Sequence, residues 1–227
     1  MSTATLASTE VPAKWRLDYL PVGLFGSVMG LTGLSVAWRL AHARYGAPDW
    51  AANTGAVAAA GAFVLMTCAY LVKLATAPRA VLAEFRHPIA GNLFGTILIS
   101  LLLLPIPLAP HSLAVARASW IVGAVGMVLF AWFVVSRWMS DRQQVAHATP
   151  AWIIPVVGLL DVPLALPTLG LPPMPSLMIF ALAVGLFLAV PLFTLIFSRL
   201  LFEPPLPDAL KPSLPGESGE GITRRRG

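Results

Sequence analysis

The sequence predicts a polytopic membrane protein built entirely from α-helices. The chain of 227 residues is 57% hydrophobic and 11% charged, whereas soluble domains carry about 25% charged residues. Its apolar residues form long windows without a formal charge, and about 18 such residues can cross a bilayer as a helix. Membrane-spanning backbone must be helical or form a closed barrel. Barrel strands alternate apolar and polar residues, so these continuous runs favour helices.

Six helices fit the charge-free windows once proline is used to divide them. The segment LPPMP at 171–175 separates the last two helices, because a proline pair cannot donate backbone hydrogen bonds. The sequence therefore predicts an N-terminal segment at 1–19, a transmembrane domain at 20–201 and a polar C-terminal tail at 202–227. The predicted helices are 20–40, 50–72, 88–108, 118–138, 150–171 and 175–201.

The distribution of Lys and Arg predicts the orientation. If the N-terminus is cytoplasmic, 12 of the 15 Lys and Arg residues, including Lys73 and Arg199, fall in cytoplasmic segments. Only Arg39, Arg44 and Arg117 then fall outside. The positive-inside rule therefore predicts that both termini are cytoplasmic. The net charge of +5 is accounted for by membrane orientation, so no nucleic-acid partner is expected.

The odd-numbered helices differ from the even-numbered ones. Helices 1, 3 and 5 each begin at a proline, and Leu24-Phe25-Gly26 recurs as Leu93-Phe94-Gly95. We interpret this as a helical hairpin used three times, as in transport folds. Interior proline kinks a helix and frees a carbonyl group, which lipid cannot satisfy but water or a neighbouring helix can. The pattern predicts an inner ring of kinked odd helices inside plainer even ones.

Glycines in helix 1 allow two interpretations. Gly23, Gly26, Gly30 and Gly33 lie on one stripe of the helix. Small residues let membrane helices approach closely, so the stripe can serve helix packing. The same absence of side chains can instead leave room for a smooth pore wall.

Asp161 is the one formal charge that the sequence places deep inside a predicted span. It lies 11 residues after Pro150, or roughly 16 Å along a helix axis. An intramembrane carboxylate indicates a functional site by default, and the alternative is a neutral acid that packs. The four histidines fall at helix ends and Cys68 is the single cysteine, so no haem, metal or other cofactor is expected.

Several motifs together resemble the tellurite-resistance/dicarboxylate transporter family, whose plant relatives are the slow-type anion channels. Helix 1 opens with LPVGLFG, and an acidic–aromatic–His-Pro segment precedes helix 3. TPAWIIPVVG opens helix 5, and FEPPLPDALKPSL follows helix 6. The resemblance covers residues 21–214. The matching positions are Pro21, Phe25, Glu84, Phe85, His87, Pro88 and Pro150.

This resemblance implies a pore formed by the odd helices of a ten-helix subunit, usually within a homotrimer. It also implies small anions or C4-dicarboxylates as substrates, tellurite resistance as a side effect, and no enzymatic activity. Asp161 falls outside the family pattern, and an acid that faces an anion path would repel the ion unless it were protonated. On this basis the pore-lining candidates are Gly26, Gly30, Phe94, Gly95, Pro155 and Gly158.

The chain departs from the family pattern after helix 6. The expected seventh helix is replaced by PGESGEGITRRRG, so we expect a truncated or frameshifted copy with six of ten helices, which would conduct poorly alone. The leading hypothesis is an anion channel or transporter in the lipid bilayer of a bacterial inner membrane. The alternative is a non-transporting membrane subunit or an inactive fragment. A haem-carrying enzyme subunit is disfavoured by the histidine positions.

Overall fold

The computed structural model describes residues 19–140 and 148–202, and regular structure within these ranges is entirely helical. The predicted N-terminal segment, apart from Tyr19, and the predicted tail beyond Phe202 lie outside the described residues. Six spans within the described ranges are long and apolar enough to cross a membrane, which confirms the predicted helical membrane bundle. Spans 1 to 6 are Val22–Tyr45, Asp49–Thr76, Ala90–Leu108, Leu113–Ser140, Pro150–Thr168 and Pro175–Phe202.

The even spans are single, uninterrupted α-helices. Asp49–Thr76, Leu113–Ser140 and Pro175–Phe202 each contain 28 residues, which corresponds to a length of about 42 Å. Such a helix reaches through the hydrocarbon core into both head-group layers. The sequence-based boundaries were too short for spans 2 and 4, because the helices continue into their polar ends.

The odd spans are composed of shorter pieces. Span 1 begins with a 3-10 turn at Val22–Phe25 and continues as an α-helix at Gly26–Tyr45. Several breaks in the other two odd spans lie beside a proline, which removes a backbone donor. In span 3 the pieces are Ala90–Phe94, Gly95–Leu103 and Pro105–Leu108; in span 5 they are Pro150–Ile153, Ile154–Val157, Gly158–Asp161 and Leu166–Thr168.

The repeated tripeptide has the same conformation at both of its occurrences. Gly26 follows a 3-10 turn with φ −57° and ψ −27°, and Gly95 follows another with φ −57° and ψ −26°. In both spans the Leu-Phe-Gly motif therefore marks the change from 3-10 to α-helical geometry. This equivalence supports the internal repeat.

The spans pack in the order that a row of hairpins predicts. Span 1 contacts spans 2 and 3, span 3 contacts spans 4 and 5, and span 5 contacts spans 4 and 6. Within their most apolar stretches, 56% of span 3 and 50% of span 5 are buried, against 17–33% for the even spans. Span 1 is only 22% buried, because its glycine-rich face has few neighbours among the described residues.

A short helix at Pro78–Arg86 connects spans 2 and 3, and we call it the linker helix. Proline at its first position favours initiation, and Val81 is its buried apolar anchor. The sequence predicted no helix between residues 72 and 88. That prediction was wrong, because nine residues with several charges give no membrane-span signal although they form one amphipathic face.

Candidate functional site

The family-like positions gather at the end of the bundle where the odd spans begin, which we call the motif end. Pro21 lies directly before the 3-10 turn of span 1 with ψ 142°. The linker helix carries Glu84 and Phe85 at its C-terminal end, and His87 and Pro88 join it to span 3. Pro150 begins the corresponding turn of span 5. The linker helix thus brings sequence-distant motifs to one face.

Glu84 is the centre of a buried hydrogen-bonded group, which we call the Glu84 cluster. Its Oε1 accepts from the backbone N–H of Val22 at 2.7 Å. Its Oε2 accepts from the Tyr70 hydroxyl at 3.0 Å and from Lys73 Nζ at 2.6 Å. Lys73 Nζ also donates to the carbonyl of Leu20 at 2.7 Å. The cluster therefore ties the start of span 1 to the end of span 2 and to the linker helix.

Two basic side chains that the charge distribution assigned to cytoplasmic segments are buried in the last turns of helical spans. Lys73 is only 2% exposed in the last turns of span 2, and Arg199 is 5% exposed in the last turns of span 6. Each stands three residues before the end of its helix, so the expectation that Asp161 is the one formal charge deep inside a span stays a prediction. The two basic residues are buried because these helices extend beyond the charge-free windows, and neighbouring segments then cover their side chains.

Aromatic rings connect the Glu84 cluster to the surrounding spans. The ring centroid of Phe25 lies 6.2 Å from that of Tyr70, and the Phe94 centroid lies 6.0 Å from Tyr70. Phe94 also meets Phe85 edge to face at 5.1 Å, and Phe85 stacks on Phe133 at 5.4 Å. Edge-to-face and offset arrangements are the favourable geometries for such rings. The phenylalanines of both motifs thus join the first four spans.

The His-Pro segment forms the turn that starts span 3. The Nδ1 atom of His87 accepts hydrogen bonds from the backbone N–H groups of Ile89 at 3.2 Å and Ala90 at 3.1 Å. It thereby satisfies donors that a helix start leaves without intrahelical partners. A Cβ atom at Gly91 would clash with the carbonyl oxygen of Phe85, so this close approach requires glycine. His87 therefore has a structural role at the motif end.

Carbonyl groups released by the kinks are satisfied inside the protein. Pro105 cannot donate to the carbonyl of Leu101, and the Ser119 hydroxyl from span 4 donates to it instead at 2.9 Å. The indole N–H of Trp120 similarly donates to the carbonyl of Val162 at 2.9 Å. At these two kinks a neighbouring helix satisfies the free carbonyl, one of the two possibilities that the sequence left open.

The pore-lining candidates fall into different environments. An added Cβ atom at Gly26 or Gly30 would meet nothing within 4 Å. A Cβ atom at Gly95 would come within 2.9 Å of Ile154, and one at Gly158 would clash with Met127. Pro155 is buried, and Phe94 is half-buried. Gly26 and Gly30 thus present an open surface, whereas Gly95, Pro155 and Gly158 pack spans 3, 4 and 5 together.

Asp161 lies at the end of the 3-10 turn Gly158–Asp161 and is half-buried. At helical spacing it is followed by Leu164 and Thr168, which are exposed. This is the face of span 5 that the described helices cover least. The Lys73–Glu84 ion pair found among the described residues does not involve it. No group of three or more potential metal ligands occurs within the described ranges.

The SLAC1 family model, described as voltage-dependent anion channel, matches residues 19–215. The chain belongs to this anion-channel family. The match includes every described span, the linker helix and the Glu84 cluster, and it confirms the resemblance that the motifs indicated. Members of the voltage-dependent anion channel family are channels and transporters rather than enzymes.

Curated relatives of the anion-channel family show the same relationship. An uncharacterised transporter of Methanocaldococcus jannaschii is 29% identical over 178 residues, covering 70% of this chain and 51% of the relative. A tellurite resistance protein TehA homologue of Haemophilus influenzae is 26% identical, covering 61% and 43%. The S-type anion channel SLAH2 of Arabidopsis thaliana is 33% identical, covering 63% and 28%. The chain therefore spans about half the length, or less, of these relatives.

Sequence reasoning missed Tyr70 and Lys73 as parts of the site. A signal was present, because Lys73 and Glu84 have opposite charges and flank a short segment that begins with Pro78. Proline at a helix start can reverse the chain after a span, which brings such a pair together. The linker helix had to be recognised before this pairing could be predicted.

Proposed function

We propose that this chain provides part of a pathway for small anions across a bacterial inner membrane. The observation that carries the proposal is the anion-channel family match over residues 19–215, made by a chain whose inner spans are broken helices. C4-dicarboxylates are included as a substrate class, and a homotrimer as the assembly. The motif end is proposed to face the cytoplasm, on the basis of the Lys and Arg distribution.

The proposed path runs along the open face of span 1. Gly26 and Gly30 leave space there because no side chain projects from them. Arg79 and Arg86 are exposed on the linker helix at the motif end, where they attract anions before entry. Rings of basic side chains and oriented backbone dipoles are recognised means of anion selection.

The Glu84 cluster holds the entrance in shape in this proposal. Its carboxylate receives three hydrogen bonds, one of them from a cation. The negative charge is therefore compensated locally and presents little repulsion to a passing anion. By fixing Val22 and the linker helix, Glu84 keeps the glycine face of span 1 in register with span 3.

The direct test is anion flux in liposomes. We would measure chloride, nitrate and malate flux for this chain and for any longer protein encoded by the downstream DNA. Gly30→Leu places a bulky side chain in the proposed path, and Gly61→Leu adds the same side chain to an exposed, unobstructed position on span 2. Flux that Gly30→Leu lowers at least severalfold while Gly61→Leu leaves it unchanged supports the path.

Equal effects of the two leucine variants would contradict the proposed path. Background flux from every form would contradict transport and favour the second candidate, a non-transporting subunit or inactive fragment. That the chain is an incomplete copy stays a prediction, which sequencing the DNA downstream of codon 214 in all frames tests. Reporter fusions at Gly46, His111 and Arg79 test the orientation, with the first two expected outside and the third inside.

A further inference from the structure

An apolar groove runs along the surface between spans 4 and 6, with span 5 as its floor. Two cavities of about 350 Å³ and about 180 Å³ lie along it. They share Val128, Leu159 and Phe180 as lining residues, so they form one continuous depression, which we call the 4/6 groove. Towards the motif end its walls are Val135 of span 4 and Leu188 of span 6.

Buried polar atoms lie beyond the motif end of the 4/6 groove. The Thr149 hydroxyl, the indole Nε1 of Trp152 and the Nε of Arg199 are buried without a hydrogen-bond partner. Leu188, Leu192, Ile196 and Arg199 follow one another at helical spacing, so the groove face of span 6 leads to Arg199. Trp152 belongs to the same apolar cluster as Ile196. Thr149 and Arg199 each stand three residues from a member of that cluster, Trp152 and Ile196 respectively. A buried donor without a partner is costly, so the three donors favour a bound acceptor.

The internal repeat provides two residues at positions equivalent to Arg199, with which its hydrogen-bond partners can be compared. Lys73, Arg137 and Arg199 each stand three residues before the end of a 28-residue even span. Lys73 pairs with Glu84 at 2.6 Å, and Arg137 donates to the carbonyl of Arg86 at 2.7 Å. Among the described residues the Lys73–Glu84 pair is the one ion pair, so Arg199 has no carboxylate partner there. Its two counterparts are satisfied by protein groups.

The chemistry of the three groups and the dimensions of the groove define the ligand. All three groups donate hydrogen bonds and one is cationic, so the partner is an anion. Leu188 and Arg199 are 11 residues apart, roughly 16 Å along the helix, which is about half of the 30 Å hydrocarbon core. A free anion would leave the apolar groove empty, and a second protein copy would leave the donors unpaired.

We propose that the 4/6 groove binds an anionic phospholipid, with one acyl chain along the groove and the phosphate at Thr149, Trp152 and Arg199. Basic pockets between spans on the cytoplasmic side are typical head-group sites. The proposed orientation places Arg199 in that leaflet. This site is separate from the glycine face of span 1, so it does not depend on the proposed anion path.

The test uses the full chain in detergent with added phosphatidylglycerol, phosphatidylcholine or inorganic phosphate. Native mass spectrometry measures the bound lipid, and thermal unfolding measures the shift in Tm that binding to the folded state produces. We expect phosphatidylglycerol to remain bound and raise Tm, with little effect from the other two. Arg199→Gln should weaken binding about tenfold or more, since a charge-assisted hydrogen bond is lost.

Two further variants separate binding from folding. Val184→Phe fills the groove without altering a donor and should also weaken phosphatidylglycerol binding, so the proposal stays testable if Arg199→Gln does not fold. Arg44→Gln removes an equal charge from an exposed position in the last turn of span 1 and should leave phosphatidylglycerol binding and Tm unchanged. Equal binding of phosphatidylcholine, an equal response to inorganic phosphate, or no retained lipid would overturn the proposal. A change of oligomeric state in Val184→Phe without a change in lipid binding would also overturn it.

Discussion

Two buried basic side chains at the motif end of the bundle occupy equivalent positions in their spans but differ in their hydrogen-bond partners. Lys73 and Arg199 stand at the same place in spans 2 and 6, and both are almost fully buried. Lys73 reaches a carboxylate and a backbone carbonyl, whereas Arg199 retains a buried Nε without a partner. The repeat therefore fixes the position of the basic residue. The segment that follows the span determines whether that residue stabilises the fold or remains available to bind a ligand.

Breaking the Glu84 cluster should give the largest effect on stability. Glu84→Ala leaves Lys73 buried without its counter-charge, and removing one partner of a buried pair costs about 3–5 kcal/mol. Arg199→Ala removes a cation that has no described counter-charge, so its cost in lipid-free detergent should be much smaller. Thermal unfolding of both purified variants checks this difference. A smaller loss for Glu84→Ala than for Arg199→Ala would contradict the comparison.

The close packing behind the linker helix gives the next largest effect. A Cβ atom at Gly91 would meet the carbonyl oxygen of Phe85 and approach a guanidinium nitrogen of Arg137 to 3.7 Å. Gly91→Ala should therefore destabilise the protein by about 1–3 kcal/mol, the usual cost of overpacking. Gly30→Ala is the matched control, because nothing lies near its Cβ position and alanine favours helix. Tm should fall for Gly91→Ala only, and equal Tm values would contradict the structure.

The kink in span 3 predicts a more modest effect. Ser119→Ala removes the donor that satisfies the carbonyl of Leu101, which Pro105 leaves free. Hydrogen bonds between membrane helices contribute about 0.6 kcal/mol on average and up to about 1.7 kcal/mol. Ser27→Ala is the control, since that hydroxyl bonds only within its own turn, to the carbonyl of Leu24. A Tm loss confined to Ser119→Ala supports the interhelical role, and equal losses would argue against it.

Hydropathy, with prolines to divide the last long window, was enough to predict the six spans, because burial in lipid imposes long apolar helices. Span 6 was predicted at 175–201 and is found at Pro175–Phe202. Proline positions also predicted that spans 3 and 5 are broken and lie inside. The family resemblance made Gly95 and Gly158 candidates for the pore lining, although glycine also suits a close contact between helices. Only the neighbours Ile154 and Met127 show that these two glycines contact adjacent spans.

The polar contacts were less predictable because they depend on tertiary packing. Lys73 lies 11 residues before Glu84, and one continuous helix would hold the two residues roughly 16 Å apart along its axis, so their side chains could not meet. The pairing needs the reversal of direction at Ala77 and Pro78, where the linker helix begins. Arg199 was equally hidden, since a basic residue at the end of an apolar window is expected to reach water. It lies one turn after Ile196, which is buried in one cluster with Trp152 of span 5.

The smallest effect is expected for Asp161, which belongs to neither of the two compared groups. Its carboxyl is half-buried and takes no part in the described ion pair. An ionised carboxylate near mid-membrane costs at least ~2.5 kcal/mol and would repel a nearby anion, so we expect the neutral form. Asp161→Asn preserves the shape of the neutral acid and most of its hydrogen bonding. The free energy of unfolding should therefore change by less than about 0.5 kcal/mol, which thermal unfolding measures. Anion uptake into liposomes, measured with and without a pH gradient, should match that of the parent protein. Loss of only the pH-driven uptake in Asp161→Asn would show instead that this carboxyl carries a proton during transport.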